Sequence, residues 1–102
     1  MAPELTDAPD SSRLELRDQG ELLAWLDYLP AGESVVLAHT EVAEGHEGEG
    51  VGGTIVRAAL EHFAENGKTV IPTCPFAAAF IARHPELGRF VDPRLRQDAE
   101  AG

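Results

Sequence analysis

The sequence predicts an α+β fold in which an antiparallel meander precedes a helix, a strand and a second helix, around a mixed sheet of about four strands. Three observations predict it. Residues 13–42 hold short runs that alternate apolar and polar side chains or are rich in β-branched residues. From residue 50 the apolar residues recur at four-residue steps, which is the spacing of a helix face. A short apolar run and a second apolar helical run follow.

The meander is expected to contain three strands. "RLELRD", which begins at Arg13, alternates Leu14 and Leu16 with charged residues, as a half-buried strand does. "ELLAWLDYL" fits a helix face as well as a strand, but its short link to the preceding run, over 18–20, favours a hairpin. After the turn "PAGE", the β-branched run "SVVLAHTEV" predicts a central strand.

Two helices are expected on either side of a short buried strand, "KTVIP". The first helix should run from about Gly50 to Asn66, with these residues on its inner face: Val51, Ile55, Ala59 and Phe63. The second should begin at Pro75, because proline is favoured at the first helical position, and should end before Pro85. Its inward side chains are expected to be Phe76, Phe80 and Ile81.

Length and composition limit the class of protein. The 102 residues are enough for one domain, expected over 13–93, and the segments 1–12 and 94–102 are expected to be flexible tails. The formal net charge of −10 argues against binding nucleic acid, which needs a basic face. No apolar run is long enough for a membrane span, and no secretory signal is evident, so the cytoplasm is the expected location. The sequence leaves the oligomeric state open, and a monomer is compatible with it.

The stretch "EGHEGEGVGGT", residues 44–54, contains five glycines where a strand gives way to a helix. Backbone N–H groups and a helix N-terminus at such a turn attract phosphate. Gly48, Gly50 and Gly53 fit the dinucleotide pattern G-x-G-x-x-G, but the next strand ends in "VIPT", without the acidic residue that would hold a ribose. A nucleoside triphosphate loop is excluded because no Lys-Ser or Lys-Thr follows the glycines. Coenzyme A is the third candidate ligand.

Three linked motifs support the coenzyme A reading. They are "HTEV" at 39–42, the glycine-rich turn into a helix, and "CPF" at 74–76 followed by "RHPEL" at 83–87. In this order and spacing they resemble the small members of the GNAT acetyltransferase superfamily, over residues 14–91. The resemblance implies the GNAT-like fold of acyl-CoA N-acyltransferases, acetyl-CoA as the cofactor and an amine as the acceptor. Because the N-terminal helices of the larger enzymes are missing, the acceptor site is expected to be shallow and open.

The resemblance also assigns cofactor-binding residues. The superfamily's pyrophosphate loop, Q/R-x-x-G-x-G/A, aligns with residues 47–52, where Glu47 departs from the usual glutamine or arginine. Pyrophosphate binding is therefore expected from the backbone of Gly48, Glu49, Gly50, Val51, Gly52, Gly53 and Thr54. The strand before this loop pairs with the pantetheine arm in the superfamily, which assigns Glu41 and Val42 to the cofactor as well.

The catalytic candidates are Cys74, His39 and Glu41. The larger enzymes often use a tyrosine of the last helix as the acid, but the aligned residue is Phe80. Cys74 precedes a helix N-terminus, whose dipoles lower a thiol pKa, so it could accept the acetyl group or donate a proton; the alternative is a packed thiol that lines the cofactor channel. His39 and Glu41 share a strand face and either could act as a base, although a purely structural His39 is the simpler interpretation.

No further ionisable residue is assigned to catalysis. His46 is expected to be solvated. One cysteine cannot form an internal disulfide or a zinc site, so no metal is expected. Two other functions stay open besides an N-acetyltransferase acting on an exposed amine of a protein, polyamine or small molecule. One is a coenzyme A or acyl-CoA binding module with little catalysis, and the other is an interaction domain that has lost the cofactor.

Overall fold

A computed structural model describes residues 3–95. The tail expectations for residues 1–2 and 96–102 lie outside this range. The complete elements of the described chain are five strands, two α-helices and two 3₁₀ helices, at Pro9–Ser11 and Pro85–Phe90, and residues 93–95 are also helical. The strands and helices are β1 (Glu4–Ala8), β2 (Arg13–Asp18), β3 (Glu21–Ala31), β4 (Ser34–Val42), α1 (Val51–Glu65), β5 (Thr69–Pro72) and α2 (Pro75–Arg83).

The five strands form one mixed sheet in the order β1-β2-β3-β4-β5. The first three pairings are antiparallel, and β4 pairs with β5 in parallel. This parallel pair requires a crossover connection, and α1 provides it. The predicted meander followed by helix, strand and helix is confirmed, with five strands where the sequence predicted about four.

The additional strand is β1, at residues 4–8, which the sequence assigned to a flexible tail. It pairs antiparallel with β2 along its whole length. The hydroxyl of Tyr28 donates a hydrogen bond to the Asp7 carboxylate at 2.7 Å, and Leu5 packs against the core. These contacts are made to residues distant in sequence, and the segment's own apolar pattern is too weak to predict a strand.

The ambiguous run 21–31 is the strand β3. The link from β2 places both Gln19 and Gly20 at positive φ, 53° and 86°. Two successive residues at positive φ are the geometry of a tight two-residue hairpin, which makes the run pair antiparallel with β2. The hairpin that the short link favoured is therefore confirmed.

The core lies between the sheet and α1. One face of α1 packs against leucines of the sheet, and the buried residues at this contact include Leu14, Leu16, Leu26, Leu37, Ile55, Val56, Ala59, Leu60 and Phe63. On α2 the buried residues are Ala77 and Ile81, while Phe76 is 41% exposed and Phe80 is half-buried. The expectation that Phe76 points inward is thus wrong.

The segment after α2 returns to the sheet edge. Asp92 is 4% exposed and accepts hydrogen bonds from Ser34 on β4 and from Arg94, a residue expected to lie in the C-terminal tail. The guanidinium of Arg94, together with its backbone N–H and the Ser34 hydroxyl, holds the pKa of the Asp92 carboxyl below its usual range. Among the described helices, none is long and apolar enough to cross a membrane.

Candidate functional site

Strands β4 and β5 separate partway along β4. Their parallel pairing ends where Leu37 faces Pro72. The Leu37 carbonyl then accepts hydrogen bonds from the backbone N–H of Cys74 at 2.9 Å and from the Thr73 hydroxyl at 3.2 Å. The following residues of β4, 39–42, pair with β3 but have no partner in β5. On that side their backbone is therefore an open sheet edge.

A β-bulge occurs where this open edge begins. Along the β3–β4 pairing the register shifts at Ala38, which has no partner and is exposed. After the bulge, Thr40 and Val42 stand opposite buried residues of β3, so they face the core side. His39 and Glu41 face the opposite side, and the two side chains make a contact of 2.8 Å between Nε2 and Oε1. The prediction that these two residues share a face is confirmed.

The residues 43–50, named here the glycine turn, connect the open edge of β4 to α1. Gly45, Gly48 and Gly50 have φ angles of 92°, 84° and 80°. Side chains are strained in this left-handed region, so glycine is required for the path of the turn.

The two glycines that follow have a different role. A Cβ on Gly52 would lie 2.7 Å from the ring of Phe76, and one on Gly53 would lie 2.6 Å from the ring of Phe80. Their missing side chains let the two aromatic rings of α2 lie over the first turn of α1. This helix contact explains why Phe76 sits at the surface against α1 and is not directed into the core.

The N-terminus of α1 has no side chain capping it among the described residues. Gly50 is its N-cap and, within residues 3–95, makes no side-chain cap hydrogen bond. The N–H groups of Val51, Gly52 and Gly53 belong to the first turn, where no preceding carbonyl is available inside the helix. These groups and the helix dipole make a positively polarised end that suits an anion.

The carboxylates of the glycine turn are engaged in hydrogen bonds within it. Glu47 accepts a bond from the Gly45 N–H at 3.0 Å. Glu49 contacts Nδ1 of His46 at 2.8 Å, and Nε2 of the same ring contacts Glu21 at 2.7 Å. The expectation that His46 is solvated is therefore wrong, because its ring joins two carboxylates and its side chain is only 19% exposed.

A cleft of about 390 Å³ opens beside the first two turns of α1. Gly50, Gly53 and Arg57 line it from α1, and Phe80 and His84 line it from α2. The Arg57 guanidinium lies 5.8 Å from the centre of the Phe80 ring and 3.7 Å from a Glu86 oxygen. It supplies a cation within about two turns of the open helix end.

Cys74 stands where β5 gives way to α2. It is the N-cap residue before Pro75, it is 3% exposed, and its Sγ lies 3.4 Å from the Thr40 hydroxyl oxygen of the open edge. Burial opposes ionisation, but hydrogen bonds from Thr40 and from the amides of Ala77 and Phe76 outweigh it and hold the pKa of the thiol below its ordinary value. The thiol and the open β4 edge thus belong to one site.

Sequence reasoning missed Arg57 and the ion pairs of His46. A basic residue four positions after Gly53 lies one helical turn farther along the same face, which is a signal that could have identified Arg57. No local signal pairs His46 with Glu21, which lies 25 residues away in sequence. Among the residues that the structure describes, no group of three histidine, cysteine or carboxylate side chains is placed so that it could hold a metal ion.

Comparison with known proteins identifies the family. Residues 13–90 match the family model described as GCN5-related N-acetyl-transferase. No curated protein sequence matches this chain. Among solved structures, the fold resembles the NMR solution structure of a "GCN5-like putative N-acetyltransferase" from Staphylococcus aureus, with a TM-score of 0.66, 23% identity and 87% of each chain covered. On the match to residues 13–90, which span most of its length, the chain belongs to the GCN5-related N-acetyltransferase family.

Proposed function

We propose that this protein is an acetyl-CoA-dependent N-acetyltransferase that acts on an exposed amine. Membership of the family supports acyl transfer in general. One observation carries the choice of coenzyme A: the open edge of β4 and the open N-terminus of α1 lie at the two ends of the same glycine turn. The first suits an extended arm that contains amides, and the second suits a diphosphate. Coenzyme A joins these two groups in one molecule.

The residues fit this ligand. The backbone of residues 41–42 would bind the pantetheine arm as an added strand binds a sheet edge. The diphosphate would lie against the amides of 48–54, whose path requires the glycines at positive φ. Arg57 would provide a charge partner for the further phosphate on the ribose. When bound, acetyl-CoA supplies a thioester carbonyl that an amine can attack.

Cys74 would take part in the transfer. Its lowered thiol pKa favours the thiolate, which is the nucleophilic form. In the covalent route, Sγ would form a bond to the acetyl carbon, the bond from that carbon to the coenzyme A sulfur would break, and the proton released by the thiol would go to the departing sulfur. The amine would then attack the acetyl-cysteine, and the proton lost by its nitrogen would return to Sγ, which restores the thiol. In the direct route, the Cys74 thiol donates its proton to the departing sulfur.

His39 and Glu41 are the candidates for accepting the proton of the amine. Their contact of 2.8 Å lies on the exposed side of β4, away from the core and next to the bulge at Ala38. A neutral His39 whose ring is oriented by Glu41 can accept a proton from a bound amine. The exposure of both side chains, 56% and 48%, suits an acceptor that presents its amine on a larger molecule.

Several measurements test the proposal. Titration calorimetry should detect binding of acetyl-CoA, and absence of heat above background would leave only an interaction domain. Intact mass after incubation with acetyl-CoA should show an added acetyl group that disappears in Cys74→Ser.

Thr40→Val is the matched variant: it keeps the thiol but removes its hydroxyl partner, so the pH midpoint of thiol alkylation should rise. Hydrolysis of acetyl-CoA that survives unchanged in Cys74→Ser would contradict a role for Cys74.

The second candidate function is a coenzyme A or acyl-CoA binding module with little catalysis. One observation favours it: Phe80, whose ring packs over Gly53, aligns with the tyrosine that the larger enzymes often use as the general acid. This candidate predicts saturable binding of coenzyme A and acetyl-CoA with neither a Cys74 adduct nor amine-dependent release of the thiol.

A further inference from the structure

The ring of His46 links the glycine turn to the sheet. Its Nδ1 lies 2.8 Å from a Glu49 oxygen at the end of the turn. Its Nε2 lies 2.7 Å from a Glu21 oxygen at the first residue of β3. The His46 side chain is 19% exposed, whereas the two carboxylates are 53% and 67% exposed. The imidazole thus occupies the centre of a three-residue cluster that extends from the turn to the sheet.

This arrangement requires a charged ring. A neutral imidazole has one N–H donor and one acceptor nitrogen, and an ionised carboxylate only accepts hydrogen bonds. Both contacts of His46 can be hydrogen bonds at the same time only when both ring nitrogens carry a proton. The hydrogen bonds with Glu49 and Glu21 accordingly raise the pKa of His46, against a smaller opposing effect of burial.

The charged groups around His46 come from two elements of the described chain. Glu49 belongs to the glycine turn itself, and Glu21 belongs to β3. The neighbouring Glu47 directs its carboxylate to the Gly45 N–H. A proton on His46 therefore offsets one of the two negative charges that contact it, near the helix end where a diphosphate would bind.

The backbone transmits the position of His46 to α1. The His46 N–H donates to the Ala43 carbonyl at 3.0 Å, and the His46 carbonyl accepts from the Glu49 N–H at 3.3 Å. Glu49 is followed directly by Gly50, the N-cap whose φ of 80° sets the direction of the first helical amides. Holding both the ring and the backbone of His46 thus holds the residue that precedes the helix.

We propose that His46 is a positioning residue, whose imidazolium fastens the glycine turn to β3 and makes the affinity for coenzyme A dependent on pH. The proposal rests on the proposed function for its ligand. Loss of the proton breaks one of the two hydrogen bonds and leaves a carboxylate without its cation. Because the pKa of His46 is raised in the folded protein, the fastening is complete below the unfolded value of about 6.5 and is lost as pH rises through the higher folded value.

Titration calorimetry with coenzyme A from pH 6.0 to pH 8.5, at constant ionic strength, tests the proposal. Wild type is compared with His46→Gln and Glu21→Gln, and His62→Gln is the control because it removes another carboxylate-paired histidine, on α1. The affinity ratio of wild type to His46→Gln should fall about threefold with rising pH, on the scale of exposed ion pairs. Glu21→Gln should reduce the loss of affinity that the His46 proton causes as pH rises, and His62→Gln should leave that loss unchanged. Taking the ratio cancels the titration of the coenzyme's own phosphate.

Two further readouts separate failure of the proposal from failure of the proposed function. In the free protein, NMR should give a His46 ring midpoint above that of His46 in Glu21→Gln. Protection of the amides over 44–50, measured relative to the intrinsic exchange rate at each pH, should fall above this midpoint. If wild type binds coenzyme A but the ratio stays constant with pH, the positioning role is refuted. If no coenzyme A binds at any pH, the proposed function fails, and the ring midpoint and amide exchange still decide whether His46 fastens the turn.

Discussion

Replacing Gly50 by alanine tests the backbone geometry on which the candidate site depends. Gly50 is the N-cap of α1 with φ 80° and ψ 7°, and a Cβ added there meets no atom within 4 Å. The cost therefore comes from the left-handed conformation alone, which is about 1–2 kcal/mol for an L-residue with a side chain. In a domain of this size each kcal/mol lowers the midpoint of thermal unfolding by about 4–8 °C.

Urea unfolding, followed by the fluorescence of the single tryptophan, Trp25, measures this change. Gly88→Ala is the matched control, because Gly88 has no positive φ and a Cβ there also meets no atom within 4 Å. We expect the control to stay within about 0.5 kcal/mol of wild type. A Gly50→Ala protein as stable as the control would refute the left-handed N-cap. Because this residue directs the first amides of α1, Gly50→Ala should also weaken coenzyme A binding, whereas Gly88→Ala should not.

Three further predictions concern single ionisable groups. Tyr28 is the single tyrosine. Burial raises the pKa of Tyr28 to about 12, together with the hydrogen bond to Asp7 and the charge of the Asp7 carboxylate. The midpoint of the absorbance change at alkaline pH should therefore lie near 12. A midpoint of 10 in the folded protein would contradict this, and Asp7→Asn should lower the midpoint without bringing it to 10. Asp92→Asn should lower the free energy of unfolding at pH 7, measured in urea. The difference from wild type should vanish in strong acid. A carboxyl whose pKa is depressed by folding stabilises the protein above its unfolded pKa of about 3.9, and this stability is lost as pH falls through the folded pKa. Equal loss at every pH would contradict that assignment. By calorimetry, Arg57→Gln should weaken the affinity for coenzyme A up to about fivefold but leave the affinity for dephospho-coenzyme A unchanged. An equal loss of affinity for both ligands would contradict a contact between Arg57 and the phosphate on the ribose.

The elements with strong local patterns could be predicted from the sequence. The helix α1 follows from its apolar period and from the stop at Asn66, and α2 begins at Pro75 as proline preference predicts. The strand β1 could not be predicted, because its stability depends on pairing with β2 and on the bond between Tyr28 and Asp7. Such contacts connect residues distant in sequence and leave no periodic signal within the strand.

The sequence did not predict how the residues of the candidate site are arranged. The motifs brought the glycine turn, the end of β4 and Cys74 into one hypothesis. The bulge at Ala38 was not predictable, since a register shift depends on how two strands pair. The roles of Gly52 and Gly53 were also missed: both were assigned to phosphate binding, and the aromatic rings that require them come from α2, more than twenty residues later.

The central claim is that the first amides of α1 hold a diphosphate although glutamates flank them. Amide NMR spectra of the protein, with and without saturating coenzyme A, test it most directly. We expect the largest shifts at Val51, Gly52 and Gly53, with the amides at the far end of α1, near Glu65, unchanged. Resonances of the glycine turn and of these three residues that do not move at saturation would contradict the claim and, with it, both coenzyme-dependent functions.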